Sequence, residues 1–174
     1  RADQIICVSK YTQQEIKKII PSAKTIVIHN GVDFKKWTEG RQVELKPKKE
    51  KIILGVGALK PRKGYEISLK AVSLVKKKYP QIRYYLVGDQ SDKNHFQKLR
   101  KIAQECDLEK NVFFLDKLSD EELSRLYQQC DLFLLTPVNV GEKFEGFGLV
   151  YLEAGAFSKP VIGTFNCGAE EAIR

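Results

Sequence analysis

The sequence lacks three features: it contains no methionine, no apolar run approaching the roughly 20 residues of a membrane-spanning helix, and no secretory leader at its start. A polypeptide without a start-codon residue is expected to be a processed or excised piece of a longer one. The other two absences favour a cytoplasmic protein. Peripheral association of the full-length protein with a membrane stays compatible with them.

Cysteine and histidine are scarce, and their spacing does not suit a metal site. The four cysteines are far apart, with no Cys-x-x-Cys pair, and the chain has two histidines. We expect reduced, mostly buried thiols, and lone histidines that are structural or exposed rather than catalytic. The residues concerned are Cys7, Cys106, Cys130, Cys167, His29 and His95.

Acidic residues are outnumbered, 22 to 30, so the chain carries a net charge of +8. The excess is concentrated at 46–51 and 76–78, and it suits an anionic partner such as a nucleotide, a phosphate, a lipid headgroup or a nucleic acid. Lysine dominates without interleaved arginine and aromatic residues, which argues against nucleic acid. Solvated lysine faces explain these runs most simply.

Apolar β-type runs alternate with longer amphipathic runs from Lys51 onward. The strands are apolar on both faces, which predicts an α/β fold with a Rossmann-like, doubly wound parallel sheet. Ser119 followed by Glu122 predicts a capping box at one helix start. The predicted strands are 51–57, 83–88, 111–115, 131–137 and 160–163, and the predicted helices are 65–79, 93–106, 119–130, 148–157 and one beginning at 169.

The first forty residues predict a separate βαβ segment, with strands in 4–9 and 25–33 around a helix at 11–20. The polar run after residue 33 indicates a linker, placed at 41–50, before a main domain at 51–174. A βαβ segment alone is too small to form a core. It therefore packs on the main domain or belongs to a parent domain outside this sequence.

Ligands of open parallel sheets bind where loops leave the carboxyl ends of the strands. The first such loop, GALKPRKG, places Arg62 and Lys63 directly before Gly64 and a helix start. Two cations beside free helix amides suit a diphosphate. The alternative is that Lys63 is an exposed charge before a helix, and the glycine spacing matches neither G-x-G-x-x-G nor a P-loop.

The last of these loops carries two glutamates, Glu145 and Glu153, around a Gly-Phe-Gly sequence at a helix start. Carboxylates accept hydrogen bonds from sugar hydroxyls, and unblocked amides suit an oxygen-rich ligand. Beside cations that suit a diphosphate, two such carboxylates indicate a nucleotide sugar. From spacing alone, a capping Glu145 and a surface Glu153 remain an open alternative.

The stretch EGFGLVYLEAGAFSKPVIGT resembles the signature of the family 4 retaining glycosyltransferases of the GT-B fold, two glutamates separated by seven residues. The motifs IVIHNGVD, ILGVGALKPRKG, YYLVGD, VFFLDKLSDEEL and KPVIGTFNCGAEEAI agree with that family in order. The family implies two Rossmann-like domains. This chain resembles the carboxyl-terminal, donor-binding domain at 51–174, truncated at its end, preceded at 1–40 by the last βαβ segment of the acceptor domain.

The resemblance implies a role for each matching residue. Lys63 would bind the donor diphosphate, Glu153 the ribose hydroxyls and Glu145 the transferred sugar, with Glu145 and Lys63 as candidate catalytic residues. The amides of Phe147 and Gly148 would bind sugar and phosphate, and the segment Leu115 to Leu118 would frame the base. The implied donor-binding set is Arg62, Lys63, Gly57, Glu145, Gly146, Phe147, Gly148, Leu149, Glu153, Leu115 and Leu118.

The family also implies retaining transfer of a hexosyl group from a UDP- or GDP-sugar to a hydroxyl acceptor, a lipid or a glycan, without a metal. By this resemblance the chain is part of a hexosyltransferase, needs no cofactor and is inactive without its acceptor domain. A non-catalytic nucleotide-sugar-binding module that acts through a partner is the alternative. The motifs do not distinguish between donor bases, between sugars or between acceptors.

Three departures from the family pattern bear on the site. Ala58 stands where members often carry an arginine, so either Arg62 supplies that charge or the diphosphate is held less firmly. The loop 138–144 is longer than usual and could form a flap or reshape sugar selection. Gly155 replaces a methionine, which suggests a packing change.

Overall fold

The computed structural model describes residues 2–38 and 50–173. Strands and helices alternate through both ranges, as the sequence predicted from Lys51 onward. The strands are β1 (Ile5–Cys7), β2 (Thr25–Val27), β3 (Ile52–Val56), β4 (Arg83–Val87), β5 (Val112–Leu115), β6 (Leu132–Leu134) and β7 (Val161–Ile162). The helices are α1 (Lys10–Ile19), α2 (Phe34–Thr38), α3 (Tyr65–Lys76), α4 (Lys93–Glu105), α5 (Asp120–Gln129), α6 (Leu149–Ala156) and α7 (Ala169–Ile173).

Residues 50–173 form a parallel sheet of five described strands in the order β5-β4-β3-β6-β7. Every residue of the central strand β3 is buried, because helices cover both faces of the sheet. The predicted α/β fold with a Rossmann-like parallel sheet is therefore confirmed. The chain moves outward from β3 to β5 and then returns to β6 on the other side of β3. This reversal creates a crevice between the carboxyl ends of β3 and β6.

Helix ends agree with the sequence signals. Ser119 accepts a hydrogen bond from the Glu122 amide while the Glu122 carboxylate accepts one from the Ser119 amide, which completes the predicted capping box. Asp92 caps α4 by accepting a hydrogen bond from the His95 amide at 3.0 Å. No helix within the described residues is long and apolar enough to cross a membrane.

The amino-terminal segment consists of the parallel pair β1–β2 and helix α1. No residue of α1, all of which is described, is buried. Large apolar side chains remain exposed on this segment, including Ile6, Ile19 and Ile28. The segment thus has little core of its own, as expected for an isolated βαβ unit.

The residues after position 33 differ from the expected linker. Phe34–Thr38 forms α2, and Trp37 is buried against the rings of Tyr127 and Phe157. The backbone carbonyl of Trp37 also accepts a hydrogen bond from Ser124. An indole anchored this way belongs to the core of the sheet unit, so polar composition was a poor guide here. The linker predicted at 41–50 lies outside the described residues except for its last position.

All four cysteines lie in the described ranges as free thiols, and three of them, Cys7, Cys130 and Cys167, are buried. Gly155 is exposed, and no described atom lies within 4 Å of the position that a Cβ would take there. The packing change expected at Gly155 is a comparison with chains that carry methionine there, and it stays a prediction.

Candidate functional site

The loop after β3 folds into a short 3-10 turn, Pro61–Lys63, that ends at Gly64. Gly64 has a φ of 66°, and a Cβ on it would lie 1.7 Å from the carbonyl oxygen of Thr136. The Thr136 hydroxyl donates to the Gly64 carbonyl at 2.7 Å. Glycine is required here because the loops after β3 and β6 touch through their backbones. The contact fixes Lys63 beside the loop that follows β6.

A buried ion pair joins these two loops. The ammonium of Lys63 contacts Glu145 Oε2, and Arg62 Nη1 lies 3.4 Å from the same oxygen. The side chains of Lys63 and Glu145 are each 11% exposed, whereas the side chain of Arg62 is 31% exposed. Two cations against one carboxylate leave a net positive charge at the crevice.

The backbone carbonyls of Glu145 and Gly146 are held from two directions. The Gly168 amide donates to the Glu145 carbonyl at 2.8 Å. From the amino-terminal segment, Ser9 Oγ donates to the Gly146 carbonyl at 2.6 Å, and the Thr12 hydroxyl donates to it at 3.2 Å. Two parts of the chain distant in sequence therefore fix the position of this carboxylate.

Helix α6 begins directly after this loop. Phe147 is buried and stacks on His29, with ring centroids 5.5 Å apart. Gly148 is the N-cap, and no side chain of the described ranges forms a capping hydrogen bond there. Leu149 opens the helix and is 40% exposed. Uncapped amides at an accessible helix start can bind an anion.

Glu153 lies within α6 and is partly buried. Its Oε2 accepts a hydrogen bond from the Tyr127 hydroxyl at 2.7 Å. Burial, and then the charge of Glu153, raise the pKa of Tyr127 well above its ordinary value. Tyr127 therefore stays a neutral donor that orients the carboxylate. Glu145 is thus buried in an ion pair, which differs from the alternative of a capping residue. Glu153 is held by a tyrosine, which differs from the alternative of a surface residue.

A pocket of about 670 Å³ opens beside this crevice. It lies between the loops after β3 and β4 and residues Val140 and Lys143 of the loop after β6. Its size is within the range of about 300–1,000 Å³ typical of small-molecule sites. The lining residues are Ala58, Lys60, Pro61, Arg62, Ser91, Asp92, Val140 and Lys143.

The structure brings together most, though not all, of the predicted site residues. Arg62, Lys63 and Glu145 form one cluster, with the turn of Gly146 to Leu149 directly after it. Gly57 lies behind Lys63, since a Cβ on it would be 3.2 Å from Lys63 Cε. Leu115 is the last residue of the outer strand β5 and Leu118 lies three residues after it, and neither lines the described pocket.

Glu171 is a site-supporting residue that the sequence did not reveal. Its carboxylate accepts hydrogen bonds from the amides of Lys10 and Tyr11 at 2.9 and 3.0 Å, and His29 Nε2 lies 3.0 Å from it. Burial disfavours its ionisation, but these hydrogen bonds outweigh burial and hold the pKa of Glu171 below its ordinary value. Its partners are about 160 positions away, and no local motif signals such a contact.

No group of three or more His, Cys, Asp or Glu side chains within residues 2–38 and 50–173 could hold a metal ion. Metal-independent chemistry nevertheless remains a prediction from the resemblance.

Comparison with known proteins shows the family to which this chain is related. The family model described as glycosyl transferases group 1 matches residues 37–174. The chain is 28% identical to the alpha-1,3/1,6-mannosyltransferase ALG2 of Mus musculus, over 99% of the chain and 44% of that protein. It is 30% identical to the D-inositol 3-phosphate glycosyltransferase of Mycolicibacterium smegmatis, over 99% of the chain and 40% of that protein.

Solved structures show the same fold. The crystal structure of Anabaena Alr3699/HepE in complex with UDP and glucose matches with a TM-score of 0.78 and 25% identity, covering 98% of this chain and 46% of that one. A glycosyltransferase from Rickettsia africae ESF-5 matches with a TM-score of 0.83 at 22% identity, covering 98% of this chain and 46% of that one. The chain spans less than half the length of these proteins. It belongs to the glycosyl transferases group 1 family.

Proposed function

We propose that this member of the glycosyl transferases group 1 family binds a nucleotide diphosphate sugar in the crevice between β3 and β6. There it would hold the donor for retaining transfer of a hexosyl group to a hydroxyl acceptor. The observation that carries the proposal is the cluster of Lys63, Arg62 and Glu145 beside the uncapped start of α6. Cations and helix amides at a sheet reversal are the groups that bind a diphosphate.

The cations would act on the leaving group. Lys63 and the more exposed Arg62 together outweigh the charge of Glu145, so a diphosphate entering the crevice meets net positive charge. Positive groups positioned before the reaction stabilise the charge that develops on the departing diphosphate. On this proposal the cations and the α6 amides do this without a metal ion.

The two carboxylates would bind the hydroxyls at the two ends of the donor. Glu145 Oε2 contacts Lys63 and Arg62, while its Oε1 makes no hydrogen bond within the described residues. That oxygen would accept a hydroxyl of the transferred sugar. Glu153, oriented by Tyr127, would accept the ribose hydroxyls. Leu115 and Leu118 would contact the base only if the donor extends past the described pocket toward β5.

The names of relatives suggest which donors to test first. Alr3699/HepE was solved with UDP-glucose as well as with UDP and glucose, and its identity to this chain is 24 to 25%. Other relatives carry the name GDP-mannose-dependent mannosyltransferase, at 25 to 29% identity. Because both bases occur among relatives, this chain should be offered UDP-glucose and GDP-mannose side by side.

An acceptor domain would complete the protein. The relatives are about twice as long as this chain, and Ile6, Ile19 and Ile28 of the amino-terminal segment are exposed. We propose that the amino-terminal segment is the last part of a Rossmann-like acceptor domain, whose remainder covers these side chains in the complete protein and binds a lipid or glycan acceptor. On this proposal the 174-residue chain binds donor without turnover, and measurable multi-turnover transfer by it would contradict this division of labour.

A thermal-shift panel of nucleotides and nucleotide sugars tests the proposal. A ligand at 100 times its dissociation constant stabilises the folded state by about 2.7 kcal/mol, so a true donor should raise the melting temperature. Glu153→Ala should reduce that rise, whereas Glu105→Ala, which removes an exposed glutamate at the end of α4, should preserve it. No rise with any ligand, or equal rises for wild type and Glu153→Ala, would overturn the site.

A further inference from the structure

The loop 138–144, which departs from the family pattern in its length, contains a small hairpin. The backbones of Val140 and Lys143 exchange two hydrogen bonds, of 2.9 and 3.1 Å, across the turn Gly141-Glu142. Gly141 has a φ of 58°, in the left-handed region that tight hairpin turns require of their first central residue. We call residues 138–144 the flap.

Both ends of the flap are anchored. At one end, the Val138 amide donates to the Arg62 carbonyl at 2.9 Å. Asn139 Nδ2 donates to the Tyr11 hydroxyl at 2.8 Å and to the Asn166 carbonyl at 3.1 Å. At the other end, the Phe144 ring meets the edge of Tyr11 at 5.3 Å. The positions of Val140 and Lys143 over the pocket are therefore fixed by contacts outside the turn itself.

Three cations and one carboxylate contribute to the lining of the pocket that the flap covers. Lys60 and Arg62 come from the loop after β3, and Lys143 comes from the flap. The carboxylate in the lining, Asp92, already accepts a hydrogen bond from the His95 amide as the N-cap of α4. The lining therefore favours an anion.

Lys143 has no other evident structural task. It is exposed, and it forms no side-chain hydrogen bond or ion pair with any residue in 2–38 or 50–173. Arg62 and Lys63, in contrast, are already partly neutralised by Glu145. Ala58, on the same pocket wall, contributes no charge. Lys143 on the flap therefore adds a positive charge that no carboxylate of the described residues neutralises.

We infer that Lys143 binds the diphosphate of the nucleotide ligand, and that the flap holds this lysine over the pocket. The inference rests on the proposed function, because it needs a nucleotide diphosphate in this crevice. It assigns a phosphate contact to a residue outside both the loop after β3 and the two-glutamate signature. The inference also explains the extra length of loop 138–144, because these residues position Lys143.

Calorimetric titration of the 174-residue chain with UDP and with GDP tests the inference. For whichever nucleotide binds wild type, Lys143→Gln should weaken binding about tenfold at low salt, the loss expected for one charge-assisted hydrogen bond. Lys143→Arg should retain binding within about threefold. Lys110→Gln, an equal charge change at the opposite edge of the sheet, should have no effect.

The controls separate the possible failures. The matching nucleoside, uridine or guanosine, should bind wild type and Lys143→Gln equally, and the difference in UDP or GDP binding should shrink as salt rises. Equal nucleotide binding by wild type and Lys143→Gln would overturn the inference and leave the proposed function standing. An equal loss of nucleoside binding would also overturn it, by assigning Lys143 a structural role. Failure of wild type to bind either nucleotide would overturn the proposed function itself.

Discussion

The sheet unit at 50–173 and the amino-terminal segment at 2–33 differ sharply in how they are held. The sheet unit buries an apolar core from both faces of its sheet. Within 2–33, the buried residues are Cys7 and Ser9 alone. The sheet unit can therefore support its loops by packing, whereas the amino-terminal segment depends on the surface to which it is attached.

That attachment is made of specific polar and aromatic contacts. Ser9 and Thr12 hydrogen-bond to Gly146, Glu171 caps α1, and His29 stacks on Phe147. Ser9, Thr12 and His29 contact the two residues directly after Glu145. Glu171 belongs to α7. The weakly packed segment thus positions the site that the strongly packed unit carries. The predictions below test each half of this comparison, from the largest expected effect to the smallest.

The tightest contact in the sheet unit lies at Gly64. Gly64→Ala should cost at least about 4 kcal/mol of unfolding free energy, because left-handed strain is added to a clash with the Thr136 carbonyl. Gly141→Ala is the matched control, since its φ is similar but no described atom lies within 4 Å of the added Cβ. It should cost only about 1–2 kcal/mol. Urea unfolding measures both, and equal losses would show that the two loops are not in backbone contact.

The buried ion pair should be the next most sensitive feature. Lys63→Met leaves Glu145 buried with only the more distant Arg62, which should cost about 3 kcal/mol of unfolding free energy. Adding Glu145→Gln removes the uncompensated charge and should recover part of that loss. A double-mutant cycle measured by denaturant unfolding checks the coupling. Strictly additive losses would mean that the two side chains do not interact.

The carboxylate of Glu171 should contribute measurably to the attachment of the amino-terminal segment. Glu171→Ala removes the acceptor for the Lys10 and Tyr11 amides and should weaken the attachment of α1 by about 1–2 kcal/mol. Hydrogen exchange should accelerate at those amides and stay unchanged in β3 and β4. Uniform acceleration through the sheet would contradict the separation between the two regions.

Acid should loosen the same attachment. The pKa of Glu171 is lowered in the folded chain, so its contribution is complete above the ordinary value of 4.5 and is lost as pH falls through the lower folded value. Exchange at the Lys10 amide should therefore accelerate below about pH 4.5 relative to sheet amides, after correction for intrinsic rates. In Glu171→Ala this extra acceleration should be absent, and its persistence would assign the effect to another group.

The smallest effect is expected at an exposed position of the sheet unit. Gly155→Ala places a better helix former in α6 where no described atom opposes it. Thermal unfolding should show a gain of about 0.5–1 kcal/mol. A loss would reveal a close contact at Gly155 in solution.

Much of the sheet unit could be predicted from sequence because its signals are local. Strand–helix alternation predicted the parallel sheet, and the Ser119–Glu122 spacing predicted the capping box. The rule that ligand loops leave the carboxyl ends of strands placed Lys63 and Glu145 near each other.

The remaining features depend on contacts between distant residues. Lys63 and Glu145 were expected to face a ligand, but they also pair with each other across 82 positions. Trp37 stands in a polar run, and only its contacts with the rings of Tyr127 and Phe157 make it a core residue. The anchors of the flap join it to Tyr11 and Asn166, which no pattern within the loop could indicate.

The most direct test of the central claim is to map where a nucleotide binds on the chain. Amide chemical shifts should be followed during titration with UDP and with GDP, for the 174-residue chain labelled with ¹⁵N. We predict that the largest changes occur at Lys63, Gly64, Gly148 and Leu149. Changes centred on the groove beside α4 at Lys101 and Gln104, or no saturable change with either nucleotide, would contradict a donor site between β3 and β6.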